Sequence, residues 1–483
     1  MSKMTSVDNP LDSVPLAHPY SPEFPSQPKI YSAGTLRYTT MGLARLFFWL
    51  LWGDFCFTVF INVYTNFLPL YLKGLHASNT VIALLATGIG GLMNLVFLPN
   101  ISMWTDRYRS RWGRRIPFLL WSTPVAVLTV VGVGYSPEMA AGLRHLIGPL
   151  QVFSLTGFTL ALIAFFAVGQ NLSQMTTNNV YQFLLRDVVP QSAMVWFLAL
   201  FRLVGLTAGC LFQWFIFRYI LTYAKLICTG MGVLYLLSFL AICWGVKEGQ
   251  YPPPAPAQQR SSKGRCKSYW RYFQECLSVP IYRNYIWVWT LYITGTAATA
   301  PFLLLFGTKT LGLSMTDYGR MVFWGTLVSG MVYLPVGYLC QRCHPLRVAF
   351  GSIALMLVVS TLAYFFVFNG TGWLAFSVAI ALPTVGWALS SLAVTMMLFP
   401  AEEFGKFSSS LMTLGYGSLV VTSYGVGRLM DFFHSDYRIV LVVSMACYAL
   451  ALVPMAKVYR GWKKHGGPDH YVPPLPRREE TYG

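Results

Sequence analysis

Charged residues are scarce in this chain. Asp, Glu, Lys and Arg make up only 11% of its 483 residues, and the acidic residues number 17. A soluble globular protein carries roughly 25% charged residues to cover its surface, so that class is excluded. Hydrophobic residues instead make up 55% of the chain, and apolar runs of about 20 residues, long enough to cross a bilayer as a helix, recur along its length. We predict an all-α membrane protein.

Motifs for catalysis, metal binding and nucleotide binding are also missing. The nine cysteines show no regular framework, and the glycine clusters lack the Lys-Ser/Thr pair of a phosphate-binding loop. The run Cys340-Gln341-Arg342-Cys343-His344 matches a haem-attachment pattern, but we predict that it lies in a cytoplasmic loop and interpret it as an ordinary loop. The sequence predicts no enzyme, no metal site and no cofactor, apart from a co-transported proton.

The net charge of +18 reflects topology. Most Lys and Arg residues fall in alternate loops and in the two tails, and positive residues favour the cytoplasmic side of a membrane. We therefore predict a multi-pass protein of the plasma (inner) membrane with both termini in the cytoplasm. The lipid bilayer is the expected surroundings, and neither a nucleic acid nor an obligate protein partner is indicated.

Twelve spans are predicted, in two sets of six. A flexible cytoplasmic tail (1–45) precedes a first six-helix bundle (46–246), and a cytoplasmic linker (247–284) joins it to a second bundle (285–458) and a cytoplasmic tail (459–483). The spans are placed at about 46–72, 78–101, 116–135, 153–183, 191–217, 225–246, 285–307, 318–340, 347–368, 372–398, 407–431 and 437–458. Span count and loop positions repeat between the halves, which indicates pseudo-symmetric repeats.

A charged loop after span 2 gives the strongest motif. It reads Pro99-x-Ile101-Ser102, Thr105-Asp106-Arg107, Arg109, Arg111, Gly113-Arg114-Arg115 and Pro117; Arg186-Asp187-Val188-Val189-Pro190 and Gly405-Lys406-Phe407-Ser408 follow spans 4 and 10. Together these strings resemble the major facilitator superfamily, and within it the glycoside–pentoside–hexuronide:cation symporters and the sucrose:proton symporters. The resemblance implies the major facilitator fold, alternating access and a sugar-sized solute with a coupled cation.

The chain departs from that pattern in two places. The loop after span 8 has Gln341 where the family pattern has Asp, and spans 2 and 4 contain no carboxylate. The first departure predicts an asymmetric inner gate, and the second argues against sodium coupling of the melibiose type.

The same loop is expected to act as a cytoplasmic gate. Asp106 would pair with Arg186 or Arg115, and the set is completed by Arg107 and Arg114. In the alternative interpretation, the arginines only fix orientation and touch anionic headgroups.

Asp54 is the one acidic residue well inside a predicted span, and Arg202 is the one cation there. Ionisable groups inside a membrane are costly and usually functional. Asp54 lies about eight residues into span 1 and Arg202 about nine into span 5, so at 1.5 Å per residue they share a depth. We hypothesise a pair that breaks and reforms with protonation of Asp54 or with solute binding. A static structural pair is the alternative.

Spans 1, 4, 7 and 10 each carry a stripe of polar residues, and a polar helix face is unfavourable against lipid. Their neutral amides, hydroxyls and aromatic rings suit a sugar, although interhelical hydrogen bonding would explain them too. The stripes contain Asp54, Thr58, Asn62 and Thr65; Gln170, Gln174, Thr177, Asn178 and Tyr181; Tyr285, Trp289, Tyr292, Thr296 and Thr299; and Thr384, Trp387, Ser391 and Thr395. The predicted solute ligands among the members of these stripes are Asn62, Gln170, Gln174, Asn178, Tyr181, Tyr292 and Trp387.

The sequence thus predicts a secondary active transporter that moves a sugar or glycoside by alternating access, coupled to a proton through Asp54. Two alternatives stay open. One is a carrier of organic anions such as a uronate, with Arg202 binding the carboxylate. The other is a membrane sensor that binds solute without transporting it.

Overall fold

The computed structural model describes residues 30–146, 154–249, 276–400 and 404–474, and within these ranges it contains twelve helices of membrane-spanning length. Eleven are also apolar enough to cross a bilayer; the twelfth is Phe404–Phe432. In chain order they are α1 (Thr40–Gly74), α2 (79–107), α3 (Ile116–Gly134), α4 (Leu155–Val188), α5 (Gln191–Tyr219), α6 (Ala224–Gly245), α7 (Pro280–Thr310), α8 (Met315–Cys343), α9 (Pro345–Phe366), α10 (Gly370–Leu398), α11 (Phe404–Phe432) and α12 (Ile439–Lys464).

The helices form two six-helix bundles with the same internal packing. Helix α3 packs against α4 and α6, as α9 packs against α10 and α12. Helix α1 packs against α5 and α6, as α7 packs against α11 and α12, and α2 meets α4 as α8 meets α10. The predicted fold class, an all-α membrane protein of two pseudo-symmetric bundles, is confirmed.

Several boundaries differ from those predicted. Helix α1 begins at Thr40, where the Thr39 hydroxyl caps its first turn, and a short hairpin (Tyr31–Ala33 with Leu36–Tyr38) precedes it within the predicted flexible tail. Helix α12 continues to Lys464 rather than ending at 458. Helix α7 starts at Pro280, a residue suited to a first helical turn. Most of the predicted linker, 250–275, and the outer parts of both tails lie outside the described residues.

The bundles touch through α2 with α11, α5 with α8 and α1 with α7. We call the side where α1 begins and α12 ends the terminus side, and the opposite side the distal side. Along α2 and α11 the contacts include a hydrogen bond between the Thr87 and Ser423 hydroxyls at 2.8 Å. A Cβ on Gly91 would come within 2.8 Å of the Tyr416 carbonyl oxygen, so this approach requires glycine.

Helices α5 and α8 meet at the distal end of the molecule. The rings of Phe217 and Tyr318 stack at 5.2 Å, and those of Trp214 and Phe323 lie 4.8 Å apart. These four residues lie in the last turns of α5 and the first turns of α8, which are the distal ends of both helices. The structure is therefore closed on the distal side.

Candidate functional site

Asp54 lies in α1 with its side chain turned toward α5. It is only 5% exposed, and a Cβ on Gly205 of α5 would lie 3.6 Å from its Oδ2. Among the described residues, its carboxylate has neither a hydrogen-bond donor nor an ion-pair partner within 4.0 Å. A buried carboxyl without a donor is costly in its charged form, so this position is chemically unusual for a purely structural residue.

Arg202 sits one helical turn from Gly205, on the helix that Asp54 faces. Helices α1 and α5 pack together as expected. Arg202 is nevertheless exposed, and no N–O distance of 4.0 Å or less joins the two side chains. The predicted ion pair is thus not formed in this structure, and its role in coupling stays a prediction.

The polar stripe of α4 divides into a buried edge and an accessible edge. Gln170 is fully buried; its Oε1 accepts a hydrogen bond from Thr129 at 2.9 Å, while its Nε2 has no partner among the described residues. Thr177 is buried against Ser122 of α3 at 2.8 Å. Gln174 is half-buried and Asn178 is exposed. Gln174 and Asn178 are therefore the accessible predicted ligands of this stripe, and their contact with a solute stays a prediction.

Two other predicted ligands are engaged within the first bundle. The hydroxyl of Tyr181 donates to the carbonyl of Leu50, and its ring is buried against Phe239 at 5.6 Å. This bond fixes α4 to α1 one turn before Asp54. Asn62 donates its Nδ2 to the Thr58 carbonyl at 2.8 Å, which leaves its side-chain oxygen available as an acceptor. A solute role for Tyr181 stays a prediction and requires its bond to Leu50 to break.

The second bundle presents three aromatic rings from α7 and α10. Tyr292 stacks on Trp387 with ring centroids 4.5 Å apart, and Trp289 lies 5.7 Å from Trp387. Both indole N–H groups lack a partner among the described residues. Tyr285 ties the two helices together, since its hydroxyl donates to the Ser391 carbonyl at 2.9 Å. The predicted Tyr292 and Trp387 are thus brought together, with Trp289 beside them.

The charged loop forms a compact network centred on Arg115, which is 2% exposed. Its guanidinium contacts Asp106 at 2.6 Å, Asp187 at 3.3 Å and the Thr105 hydroxyl. Arg114 binds the same Asp187 through Nη2 at 2.9 and 3.0 Å. The predicted contact of Asp106 with Arg115 is present, and the gate role of this network stays a prediction.

The predicted alternative partner of Asp106, Arg186, is exposed and belongs to none of the ion pairs of the described chain, and Arg107 is exposed as well. Asp187, the next residue along α4, occupies the inner position instead. All members of the network belong to the first bundle, at the end of α2, in the loop before α3 and at the end of α4, so in this conformation it does not bridge the two bundles.

Glu248, which follows α6, extends this network and was not predicted. Its carboxylate accepts the backbone N–H groups of Arg114, Arg115 and Ile116 at 2.8, 2.8 and 2.7 Å. These are donors that the first turn of α3 cannot satisfy itself, and an anion there also complements the helix dipole. The sequence signal that could have identified Glu248 is its position immediately after an apolar run.

A second polar network on the distal side was also missed. Asp431, at the end of α11, accepts the backbone N–H groups of Asn79 and Thr80 at 2.8 and 3.0 Å and the Thr80 hydroxyl at 2.6 Å. Further hydrogen bonds run between Tyr437 and Asn79, between Asn79 and Ser435 and between Lys73 and Ser435. We call these six residues the distal clasp; they join the first bundle to the second.

The haem-like run has a local structural role. His344 caps α9 by accepting the Leu346 N–H through Nδ1 at 3.3 Å, and its ring packs on Trp462 at 4.5 Å. Cys340 is buried. No cluster of three or more His, Cys, Asp or Glu side chains that could hold a metal ion occurs in the described ranges.

The structure shows two bundles, polar faces on α1 and α4, and a charged loop between α2 and α3. A family comparison accords with these features. The MFS/sugar transport protein family matches residues 50–405. The chain belongs to this family. MFS proteins are membrane transporters of small molecules, so the predicted superfamily is confirmed and the chain is a multi-pass membrane transporter. No curated protein matches the chain.

Solved structures of other MFS-type transporters share the fold. The nucleoside transporter NupG is 12% identical with a TM-score of 0.60, and the alignment covers 86% of this chain and 99% of that one. A bacterial homologue of the iron transporter ferroportin in its inward-facing state is 16% identical, with a TM-score of 0.59 and coverage of 86% and 99%. A bacterial homologue of the lysosomal transporter Spinster is 12% identical, with a TM-score of 0.58 and coverage of 87% and 99%. At these identities, the likeness shows the fold alone.

Proposed function

We propose that this transporter is a symporter of a sugar or glycoside with a proton, coupled through Asp54. The observation that carries the proposal is the setting of Asp54: it is the one carboxylate in the middle of a span within the described ranges, and it is buried without a donor. Such a group is suited to binding and releasing a proton during a transport cycle. We place both termini in the cytoplasm, so that the distally closed structure faces inward.

The solute class follows from the groups on the two bundles. Gln174, Asn178 and Asn62 offer neutral amide donors and acceptors, which match hydroxyl groups. Trp289 and Tyr292 are half-buried and offer aromatic faces that match the apolar face of a pyranose. Trp387, on which Tyr292 stacks, is 1% exposed, and the indole N–H groups of both tryptophans are buried without a partner among the described residues. The match of the chain to a family described by sugar transport supports the same choice.

Uptake into proteoliposomes tests the proposal. Labelled mono- and disaccharides are offered with and without an inside-alkaline pH gradient, to the natural chain and to Asp54→Asn. We expect gradient-driven accumulation that Asp54→Asn abolishes, while exchange without a gradient continues. Asp436→Asn, an exposed acid at the distal end, is the matched control and should accumulate normally. Accumulation by Asp54→Asn equal to that of the natural chain would refute proton coupling through this residue.

The organic-anion alternative has one observation in its favour, since Arg202 is exposed and without a carboxylate partner among the described residues. Uronates are therefore included in the panel. Transport of uronates but not neutral sugars, lost in Arg202→Gln, would replace the sugar assignment. Binding of a solute without flux would favour the sensor.

A further inference from the structure

A cavity of about 1240 Å³ lies on the outer surface of the first bundle, away from the candidate transport site. It is bounded by the loop between α2 and α3, by the start of α3 and by the end of α6. Its rim carries Arg109, Arg111 and Lys247, and its wall carries Leu237, Leu240 and Trp244. A cationic rim above an apolar wall is the arrangement that an amphipathic ligand requires.

The apolar wall belongs to the bilayer-facing side of α6. The exposed apolar residues of this helix recur at spacings of seven, four, three and four and therefore lie on one face; they are Leu226, Val233, Leu237, Leu240 and Trp244. Trp244, at the terminus-side end of this stripe, is 93% exposed. Tryptophan is enriched where a membrane meets water, so this end of the stripe lies at the level of lipid headgroups.

The rim offers hydrogen-bond donors at that same level. Arg111 and Lys247 are exposed, and neither makes a hydrogen bond or an ion pair with any residue of the described ranges. Arg109 donates to the backbone carbonyls of Asp106 and Tyr108 at 2.6 and 2.9 Å, which holds its charge at the rim. The one carboxylate at the rim is Glu248, and the N–H groups at the start of α3 already compensate it.

The segment that follows the cavity in the sequence is a poor occupant. The segment 250–275 follows Gly249, a lining residue of the cavity, in the sequence, but it contains five cations (Arg260, Lys263, Arg265, Lys267 and Arg271) and a single acid, Glu275. It has the same sign of charge as the rim, so charge complementarity favours an external anion.

We propose that this cavity binds an anionic phospholipid. Its phosphate would accept hydrogen bonds from Arg111 and Lys247, charge-assisted contacts of the strong kind. An acyl chain would lie along Leu237, Leu240 and Trp244. Each juxtamembrane cation at an anionic surface is worth about a fivefold change in binding, so the site prefers an anionic headgroup over a zwitterionic one.

Fluorescence quenching by brominated lipids tests the site in the full chain. Brominated phosphatidylglycerol or phosphatidylcholine is added at equal mole fraction, and the contribution of Trp244 is the difference between the natural chain and Trp244→Phe. We expect phosphatidylglycerol to quench Trp244 at about fivefold lower mole fraction or better. The double variant Arg111→Gln/Lys247→Gln should remove this preference, and the control pair Arg342→Gln/Arg460→Gln, exposed cations outside the cavity, should keep it.

Because the preference is a ratio measured within each variant, a general loss of folding lowers both signals and is recognised. Equal quenching by the two lipids in the natural chain would overturn the proposal, and so would an equal loss of preference in the control pair. Quenching by neither lipid would also overturn it, since the cavity would then be covered by another part of the chain.

Discussion

The carboxylate of Asp431 accepts a hydrogen bond from the hydroxyl of Thr80 across the interface between the two bundles, with 2.6 Å between Oδ2 and Oγ1. The same carboxylate takes up the first two backbone N–H groups of α2, donors that a helix leaves unsatisfied at its start. An acid at the end of one bundle therefore completes a helix of the other. These bonds must break before the distal side can open.

Asp431→Asn should loosen this closure. Hydrogen bonds to a charged group contribute about 1.5–3 kcal/mol, so we expect at least a tenfold rise in the ratio of distally open to closed molecules. Hydrogen–deuterium exchange of the peptide 74–83, at the distal end of α1 and the start of α2, should become faster by the same factor. Thr80→Val removes only one of these bonds, worth about 1.5 kcal/mol, and should give a change of about tenfold, no larger than that of Asp431→Asn.

Two controls accompany this measurement. Thr80→Ser keeps the hydroxyl and should exchange like the natural chain, and Asp436→Asn removes an exposed acid nearby without touching α2. Unchanged exchange in Asp431→Asn would show that apolar contacts such as Trp214 with Phe323 close the distal side by themselves.

The distal clasp could not be predicted from the sequence, because Asp431 and Thr80 are 351 residues apart and nothing local links them. The charged network centred on Arg115 was partly predictable. Arg115 and Asp106 are nine residues apart in one loop, so their pairing follows from the loop itself. Whether Arg186 or Asp187 lies inside could not be predicted, because adjacent helical residues point about 100° apart. Only the packing of α4 decides which of them faces inward.

Arg115→Gln should destabilise the first bundle. Removing one partner of a buried ion pair costs about 3–5 kcal/mol, here because Asp187 and Asp106 would lose their common cation. At about 2–4 °C per kcal/mol for a unit of this size, we expect the unfolding temperature in detergent to fall by about 10 °C. A thiol-reactive dye can report unfolding, since the free thiols of Cys56, Cys228 and Cys447 are buried in the folded chain and become accessible when it unfolds.

Arg107→Gln serves as the matched change. Arg107 is an exposed cation of the same loop, and its removal should shift stability by no more than about 0.5 kcal/mol. Equal shifts for Arg107→Gln and Arg115→Gln would mean that the loop charge as a whole, not the buried pair, stabilises the bundle.

The polar stripes show how far helical periodicity reaches. It placed Tyr292 on the face of α7 that meets Trp387 of α10, as the structure shows. It could not separate Gln170, which is buried against Thr129 of α3, from Asn178, which is exposed. The two lie on one stripe, and the boundary between bundle core and open face depends on how closely α3 packs.

Acid should weaken the junction between α8 and α9. Burial, and then the charge of Arg347, hold the pKa of His344 below its ordinary value of 6.5. The unfolded chain therefore binds a proton in a pH range where the folded chain does not. The contribution of His344 to stability is present above pH 6.5 and is lost as the pH falls below that value.

His344→Asn should lessen this acid sensitivity. Asparagine tolerates the positive φ of 73° at this position and can still accept the Leu346 N–H. The drop in unfolding temperature between pH 8 and pH 5.5 should be smaller in the variant than in the natural chain. An identical drop in both would assign the acid response to other groups.

Asp54 of α1 lies against α5, the helix that carries Arg202, and no ion pair joins the two, which suits a contact that forms in only part of a transport cycle. If the two act as one unit, their variants are not additive. Asp54→Asn and Arg202→Gln should each abolish accumulation driven by the pH gradient, and the double variant should exchange solute no more slowly than Asp54→Asn alone. Initial rates of exchange in proteoliposomes provide the comparison. Independent, multiplying losses in the double variant would mean that Arg202 serves the solute rather than the carboxylate. A uronate would then become the solute to test first.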